Sequence, residues 1–335
     1  MVKLNVVKLA ECGKQSTDDI RTSGGEVGLP NPSILGHSDH DRYSGFIVLV
    51  GRPNVGKSTL LNKLIQQKVS ITSRKAQTTR YQIVGIKTVG ARQLVYLDTP
   101  GFNGHVQNEL QHYLTQVTKH ALQDADIIVW VVAGSRFTAE DRVIGELITK
   151  LGKPIIAVIN KRDLVKGDST SLVEQQQRLQ QWPGVVEQVT ISAKYSQGLE
   201  TLECWLLDHL SAGPWFYDAS QCTDRDEHFW VAEVVREKLM RLLGDELPYA
   251  TTVITDRIVR RAGLVTIDAT IYVERLGQKI IVIGQRGGAI KRIGSLARAE
   301  LEKSLGCQVM LNLWVKIKTN WTRNADLLRK LGYNC

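Results

Sequence analysis

Hydrophobic positions along the chain follow two successive patterns. Between residue 45 and about 212, short continuous apolar runs alternate with amphipathic stretches. FIVLV (46–50), QLVYLDTPG (93–101), DIIVWVVAG (126–134), PIIAVINKRD (154–163) and VEQVTISA (186–193) read as strands, and 105–123 and 139–151 as helices. Strands that are apolar throughout are buried on both faces. Interleaved with helices, they predict an α/β domain with a mostly parallel sheet covered on both sides.

From residue 228 the pattern changes. HFWVAEVVREKLMRLL (228–243) places Phe229, Val231, Val234, Val235, Leu239 and Leu242 on one helical stripe. Residues 251–259 and 264–273 flank RRAG and read as a hairpin, with Val265, Ile267, Ala269, Ile271 and Val273 alternating in its second strand. A strand at 279–283, a glycine loop, a helix at 289–305 and a strand at 308–318 complete an α+β domain. Residues 1–43 lack periodicity and read as a disordered extension. The segment 213–224, rich in small polar residues, reads as a linker. The expected organisation is therefore 44–212, a linker, and 225–335, each domain with its own core.

Composition adds one directional clue. The 335 residues carry a formal charge of +9, with a pI near 9.3. Residues 277–335 hold eleven Lys or Arg against three Asp or Glu. That concentration implies a polyanionic partner for the second domain. Cys12, Cys204, Cys222, Cys307 and Cys335 show neither C-x-x-C nor His spacing, so they read as reduced thiols in a cytosolic protein. No apolar run approaches the roughly 18–20 residues of a membrane helix. The first residues are too charged for a signal peptide.

The first glycine loop, GRPNVGKST, follows a strand and precedes a helix. It fits G-x-x-x-x-G-K-[ST], in which backbone N–H groups at a helix N-terminus wrap a phosphate. Gly51, Arg52, Pro53, Asn54, Val55, Gly56, Lys57, Ser58 and Thr59 are the expected phosphate loop. Lys57 is expected to bridge the β and γ phosphates, and Ser58 to ligate Mg²⁺. DTPG ends a strand: Asp98 is expected to hold Mg²⁺ through water and the Gly101 N–H to sense the γ-phosphate, flanked by Thr99, Pro100 and Phe102. NKRD comprises Asn160, Lys161, Arg162 and Asp163. The two oxygens of Asp163 match the paired donors of guanine, which adenine lacks, and so select GTP over ATP. In SAK (Ser192, Ala193, Lys194), the Ala193 N–H is expected to meet guanine O6. The polar stretch 71–85 is where a switch belongs. Thr79 is the first choice for the second Mg²⁺ hydroxyl, and Thr78 the alternative.

This set resembles the translation-factor-related GTPases. That resemblance implies slow hydrolysis, because apolar Phe102 stands where others of the class orient water. It also implies that Asn54 helps bind a monovalent cation such as K⁺.

The second loop, VIGQRGGAIKRIG (282–294), has no Gly-Lys-Ser/Thr and no acidic residue ending its strand. Read as G-x-x-G, its residues Gly284, Gln285, Arg286 and Gly287 fit a KH domain, where bare backbone lets a nucleic-acid strand lie close. Arg286, Lys291 and Arg292 are expected to neutralise phosphates, and Ile290 and Ile293 to pack beneath bases or serve as helix core. A G domain followed by a type II KH domain resembles the Era family of bacterial ribosome-assembly GTPases over roughly residues 44–333. VREKLMRLLGDELPYATTV, VIGQRGGAIKRIG and LNLWVKIKTNW carry that resemblance. It implies a monomer that cycles with GTP, binds the 3′ end of 16S rRNA during 30S subunit maturation, and associates peripherally with the inner membrane. A tRNA-modifying GTPase and an RNA chaperone with structural GTP remain as alternatives. A double-G-domain GTPase is excluded, since the chain has one P-loop.

Overall fold

The structure, a computed structural model, describes residues 42–102, 108–165, 170–244 and 247–333. Ile47, Val48, Leu49 and Val50 are fully buried because β1 (Tyr43–Val50) runs through the middle of the first sheet. That sheet also contains β2 (Ile83–Val89), β3 (Arg92–Asp98), β4 (Ile127–Ala133), β5 (Ile155–Asn160), β6 (Val185–Thr190) and the short β7 (Ser211–Ala212). Its order is β2-β3-β1-β4-β5-β6, with β7 paired on β1. The β1–β3, β1–β4, β4–β5 and β5–β6 pairs are parallel, whereas β2 and β7 run antiparallel to their neighbours. The helices α1 (Lys57–Ile65), α2 (Glu109–Asp124), α3 (Ala139–Thr149), α4 (Thr170–Gln180) and α5 (Leu199–Asp208) cover its faces. Two apolar clusters result, one on each side of the sheet.

The second domain begins with α6 (Glu227–Leu242), the antiparallel hairpin β8 (Thr251–Arg261) and β9 (Leu264–Val273), and α7 (Leu276–Ile283). It continues with α8 (Gly288–Leu305), β10 (Gln308–Ile317) and α9 (Ala325–Lys330). The order β10-β9-β8, with β10 parallel to β9, is the α+β arrangement expected of a type II KH domain. The expected strand at 279–283 is instead the end of helix α7. An apolar run such as KIIVI does not reveal its own period. The Gln278 side chain accepts from the N–H groups of Glu274 and Arg275 at 2.8 and 3.0 Å, which starts a helix there.

Three boundary expectations also change. Tyr43 already pairs with Arg92, so β1 starts inside the segment assigned to the extension, whose residues 1–41 lie outside the described residues. Ile83, Val84 and Gly85 belong to β2, so the switch stretch ends at residue 82. Finally, 213–224 is a strap bound to the first domain. Buried Gln93 accepts from the N–H groups of Phe216 and Tyr217 at 2.9 and 3.0 Å and donates to the Tyr217 carbonyl at 2.8 Å. Ile86 N–H donates to the Cys222 carbonyl at 2.9 Å. The two domains are not separate in their packing either. A fourth cluster joins Leu110 of α2 to Trp321, Leu328, Leu331 and Tyr333 of the C-terminal domain.

The strap generates a stability prediction. Gln93→Ala removes all three of these side-chain bonds and should cost about 2–3 kcal/mol. Urea denaturation checks this, and a loss below about 0.5 kcal/mol would mean the strap is held elsewhere.

Candidate functional site

The phosphate loop follows β1 because only glycine fits where it turns. A Cβ on Gly51 would lie 2.3 Å from the Val131 carbonyl oxygen, and Gly56 adopts φ +105°. Val55 is buried beneath the loop, and Thr59 sits in the first turn of α1. The Lys57 ammonium donates to the carbonyls of Gly51 and Arg52 at 2.9 and 3.2 Å. Burial lowers its pKa to about 8, with Asp98 opposing that fall. Arg52 turns away from the loop and donates from Nε to Asp141 at 3.1 Å, where Asp141 caps α3.

Ser58, Thr79 and Asp98 converge as expected. Ser58 Oγ donates to Asp98 Oδ2 at 2.6 Å and lies 2.9 Å from Thr79 Oγ1. In an octahedral magnesium site, ligands at about 2.0–2.1 Å put neighbouring oxygens about 2.9 Å apart. Asp98 Oδ1 is buried with no hydrogen-bond partner. Burial raises the Asp98 pKa, opposed by Lys57 and by the hydroxyls of Ser58, Ser70 and Thr79. The donor set therefore fits a hard divalent cation, which Ser58, Thr79 and Asp98 would hold. The Thr78 hydroxyl does not join them: it bonds Ser73 at 2.7 Å and the Lys75 carbonyl at 2.6 Å. Ser70, missed in the sequence, donates to Asp98 at 3.0 Å. No motif marks it.

The DTPG turn closes against the loop. Thr99 Oγ1 donates to the Leu49 carbonyl at 2.8 Å, and the Pro100 carbonyl accepts from Thr118 at 3.4 Å. A Cβ on Gly101 would come within 2.8 Å of Pro53 Cα, so glycine lets the two loops touch. The Phe102 N–H donates to the Gly51 carbonyl at 3.3 Å, and its ring packs into the core.

At the other end of the loop, Asn160 is a brace. Its Nδ2 donates to the Val55 carbonyl at 2.8 Å, and its Oδ1 accepts from the N–H groups of Lys161 and Ala193 at 2.7 and 3.0 Å. The Ala193 amide, expected to face guanine O6, donates here to Asn160 Oδ1. A buried amide oxygen with two acceptor sites draws both donors. Asp163 accepts from Ser192 Oγ at 2.6 Å, which joins the NKRD and SAK turns. Lys161 Nζ reaches the Asn54 carbonyl, while Arg162 and Lys194 stay exposed.

The segment 71–79 roofs this site. With Pro53, Asn54 and Lys57, residues Thr72, Thr78 and Thr79 line a cavity of about 60 Å³. The roof is also tied to the second domain. Thr72 N–H donates to Glu237 at 2.9 Å, Arg241 donates to the Thr72 carbonyl, and Arg236 donates to the Thr78 carbonyl at 2.5 Å.

The second loop connects α7 to α8. A Cβ on Gly284 would lie 2.6 Å from Ala289 Cβ, so this glycine is required by its own helix. Gly287, at φ +75°, faces open space and is the place where a strand can approach. Gln285, Arg286, Lys291 and Arg292 are exposed beside it. Arg286 itself adopts φ +49°, turning the loop outward. Ile290 is half-buried, as are Ile283 of α7 and Leu311 and Leu313 of β10, and all four pack on the domain core. Gly294 of α8 brings Leu313 near, since its Cβ would lie 3.6 Å from Leu313 Cδ1. This apolar floor was not assembled from the sequence, because α7 had been given the wrong period.

Known proteins match this layout. Residues 46–161 match the family described as 50S ribosome-binding GTPase, and residues 246–322 match the KH domain family. The GTPase Era of Pseudomonas savastanoi pv. phaseolicola is 45% identical over 289 residues, covering 86% of this chain and 96% of that protein. The GTPase Era of Ectopseudomonas mendocina matches with the same identity and coverage. A crystal structure of Era with MgGDPNP and nucleotides 1506-1542 of 16S ribosomal RNA superposes with a TM-score of 0.84. It shares 36% identity and covers 88% of this chain and all of that one. A variant of Aquifex aeolicus Era bound to GDP.AlF4- also matches at 0.84, with 35% identity and the same coverage.

The brace yields a test. Asn160→Ala removes three hydrogen bonds of about 1 kcal/mol each and should weaken GDP and a GTP analogue alike, on the order of 100-fold. Fluorescent-nucleotide titration measures this, and unchanged affinity would show the brace to be dispensable.

Proposed function

The chain belongs to the Era family of GTPases, and from that premise we propose that it is a GTP-controlled binder of the 3′ end of 16S rRNA acting in 30S subunit maturation. The observation that carries this reading is the presence in one chain of two complementary sites: a guanine-nucleotide constellation and a basic G-x-x-G loop over an apolar floor. The likeness to the Era–RNA complex supports it.

In this reading the P-loop amides and Lys57 hold the phosphates, and Ser58, Thr79 and Asp98 would hold Mg²⁺, which would supply charge neutralisation to the phosphates. Asp163 selects guanine, and Gly101 reads the γ-phosphate. Phe102 has no group to orient water, so intrinsic hydrolysis is slow; K⁺ near Asn54 and bound RNA would accelerate it. On the second domain, Arg286, Lys291 and Arg292 contact phosphates near Gly287, while the floor of Ile283, Ile290, Leu311 and Leu313 receives bases. The protein acts as a monomer in the cytoplasm, where this RNA is made. Among the described residues no helix is long and apolar enough to cross a membrane. The resemblance to the family supports peripheral association with the inner membrane.

Two experiments test the sites. Asp163→Asn reverses one donor–acceptor pair, so preference should move from guanine toward xanthine nucleotides in a competition assay. Retained guanine preference removes Asp163 from the base site. Replacing Gln285 and Arg286 together by Asp should abolish most binding of a 16S 3′-end oligonucleotide in filter titrations. Each lost phosphate contact should reduce the log–log salt slope by about 0.7. Parental affinity in that double variant would make the loop a plain structural turn.

A further inference from the structure

Residues 323–333 lie beyond the segment that matches the KH family, which ends at residue 322. They are nevertheless well buried: Leu328, Leu331 and Tyr333 are at most 4% exposed and pack with Trp321 on Leu110 of α2. The Tyr333 ring stacks on Tyr81 at 4.8 Å and meets Tyr113 edge-on at 5.6 Å. Its hydroxyl lies 3.0 Å from Thr252 Oγ1 and accepts from Arg80 Nη1 at 3.3 Å. Arg80 is fully buried. It also donates to the Thr251 carbonyl at 2.7 Å and the Tyr249 carbonyl at 3.2 Å, and lies 5.9 Å over the Trp321 ring. These partners all belong to the C-terminal domain.

The next residue toward the N-terminus is Thr79, whose hydroxyl lies 2.9 Å from Ser58 Oγ. On its other side the Thr78 carbonyl accepts from buried Arg236. The backbone that presents Thr79 is thus pinned on both sides by the second domain, at Arg80 by groups that include the chain's last described residue.

We propose that Arg80 is a positioning residue and Tyr333 its latch: together they hold the Thr79 hydroxyl in the magnesium site, so that metal coordination in the GTP state depends on the C-terminal tail being docked on α2. This rests on the reading of Thr79 as a magnesium ligand. Switch contacts of this kind are made with the triphosphate and released with the diphosphate. Undoing the latch therefore leaves Thr79 to be ordered at the moment GTP binds, at an entropic cost that GDP binding does not incur.

The test is the ratio of affinities for a non-hydrolysable GTP analogue and for GDP, measured on the full chain with Mg²⁺, together with single-turnover hydrolysis. Tyr333→Phe keeps the ring stacking and removes only the hydroxyl; it should lower the ratio about 3–10-fold with GDP affinity unchanged. Arg80→Ala should lower it further, and Arg80→Lys, which retains the charge without the fork, should fall between. Thr79→Ala serves as the reference. A lowered ratio for Thr79→Ala with parental ratio and hydrolysis for Tyr333→Phe rejects the latch while the metal assignment stands. An unchanged ratio for Thr79→Ala overturns the metal assignment itself, and the latch with it. Equal loss of both nucleotides in Tyr333→Phe would make the tail a stabilising element only. If Arg80→Ala does not fold, Tyr333→Phe and Arg80→Lys decide.

Discussion

The carboxylate of Glu237 has no exposed side-chain surface, and the way it is satisfied sets the relation between the two domains. An unpaired buried carboxylate costs several kcal/mol. Glu237 meets this demand with Lys238 at 2.8 Å, Arg241 at 2.9 Å, Lys68 at 2.7 Å and the Thr72 N–H at 2.9 Å. Burial works to raise its pKa, but the bonds from Lys238 and Lys68 hold it below the usual carboxylate range. Lys68 and Thr72 belong to the first domain. Separating the domains therefore strips donors from a buried charge, a loss of about 3–5 kcal/mol when such a partner is removed. Exposed pairs such as Arg329–Asp326 carry little by comparison.

The cost of that arrangement falls on the nucleotide site, because the segment that satisfies Glu237 continues into the roof over the phosphate loop. The roof cannot lift without disturbing α6, and α6 cannot shift without pulling on Thr72 and Thr78. Inside the site, Lys57 and Asp98 are each moved by burial toward their neutral forms. An anion beside Lys57 and a cation beside Asp98 would restore the charged forms.

The G-x-x-G loop divides its two glycines between different tasks. Gly284 makes room for Ala289 within the fold, and Gly287 leaves room outside it. The charged side chains around them need no fixed geometry to attract phosphate, whereas the apolar floor requires α7, α8 and β10 to be in register.

The turns of the candidate nucleotide site were legible in the residues, because GRPNVGKS, DTPG, NKRD and SAK are local: each is a turn at a strand end, and the order of apolar strands places those ends along one edge of the sheet. The hairpin β8–β9 and the strand β10 were legible for the same reason, since alternation such as Val265, Ile267, Ala269, Ile271 and Val273 reports directly on a buried face. Helix α7 was not, because KIIVI is apolar in either period and a Gln278 cap settles it. Thr79 could be separated from Thr78 only by contact with Ser58 across the fold. The strap on Gln93, the brace between Asn160 and Ala193, and the pairing of Arg80 with Tyr333 were silent in the chain. They join residues 33 to 253 positions apart, and which buried donor meets which acceptor is settled by packing of whole elements, not by any local pattern.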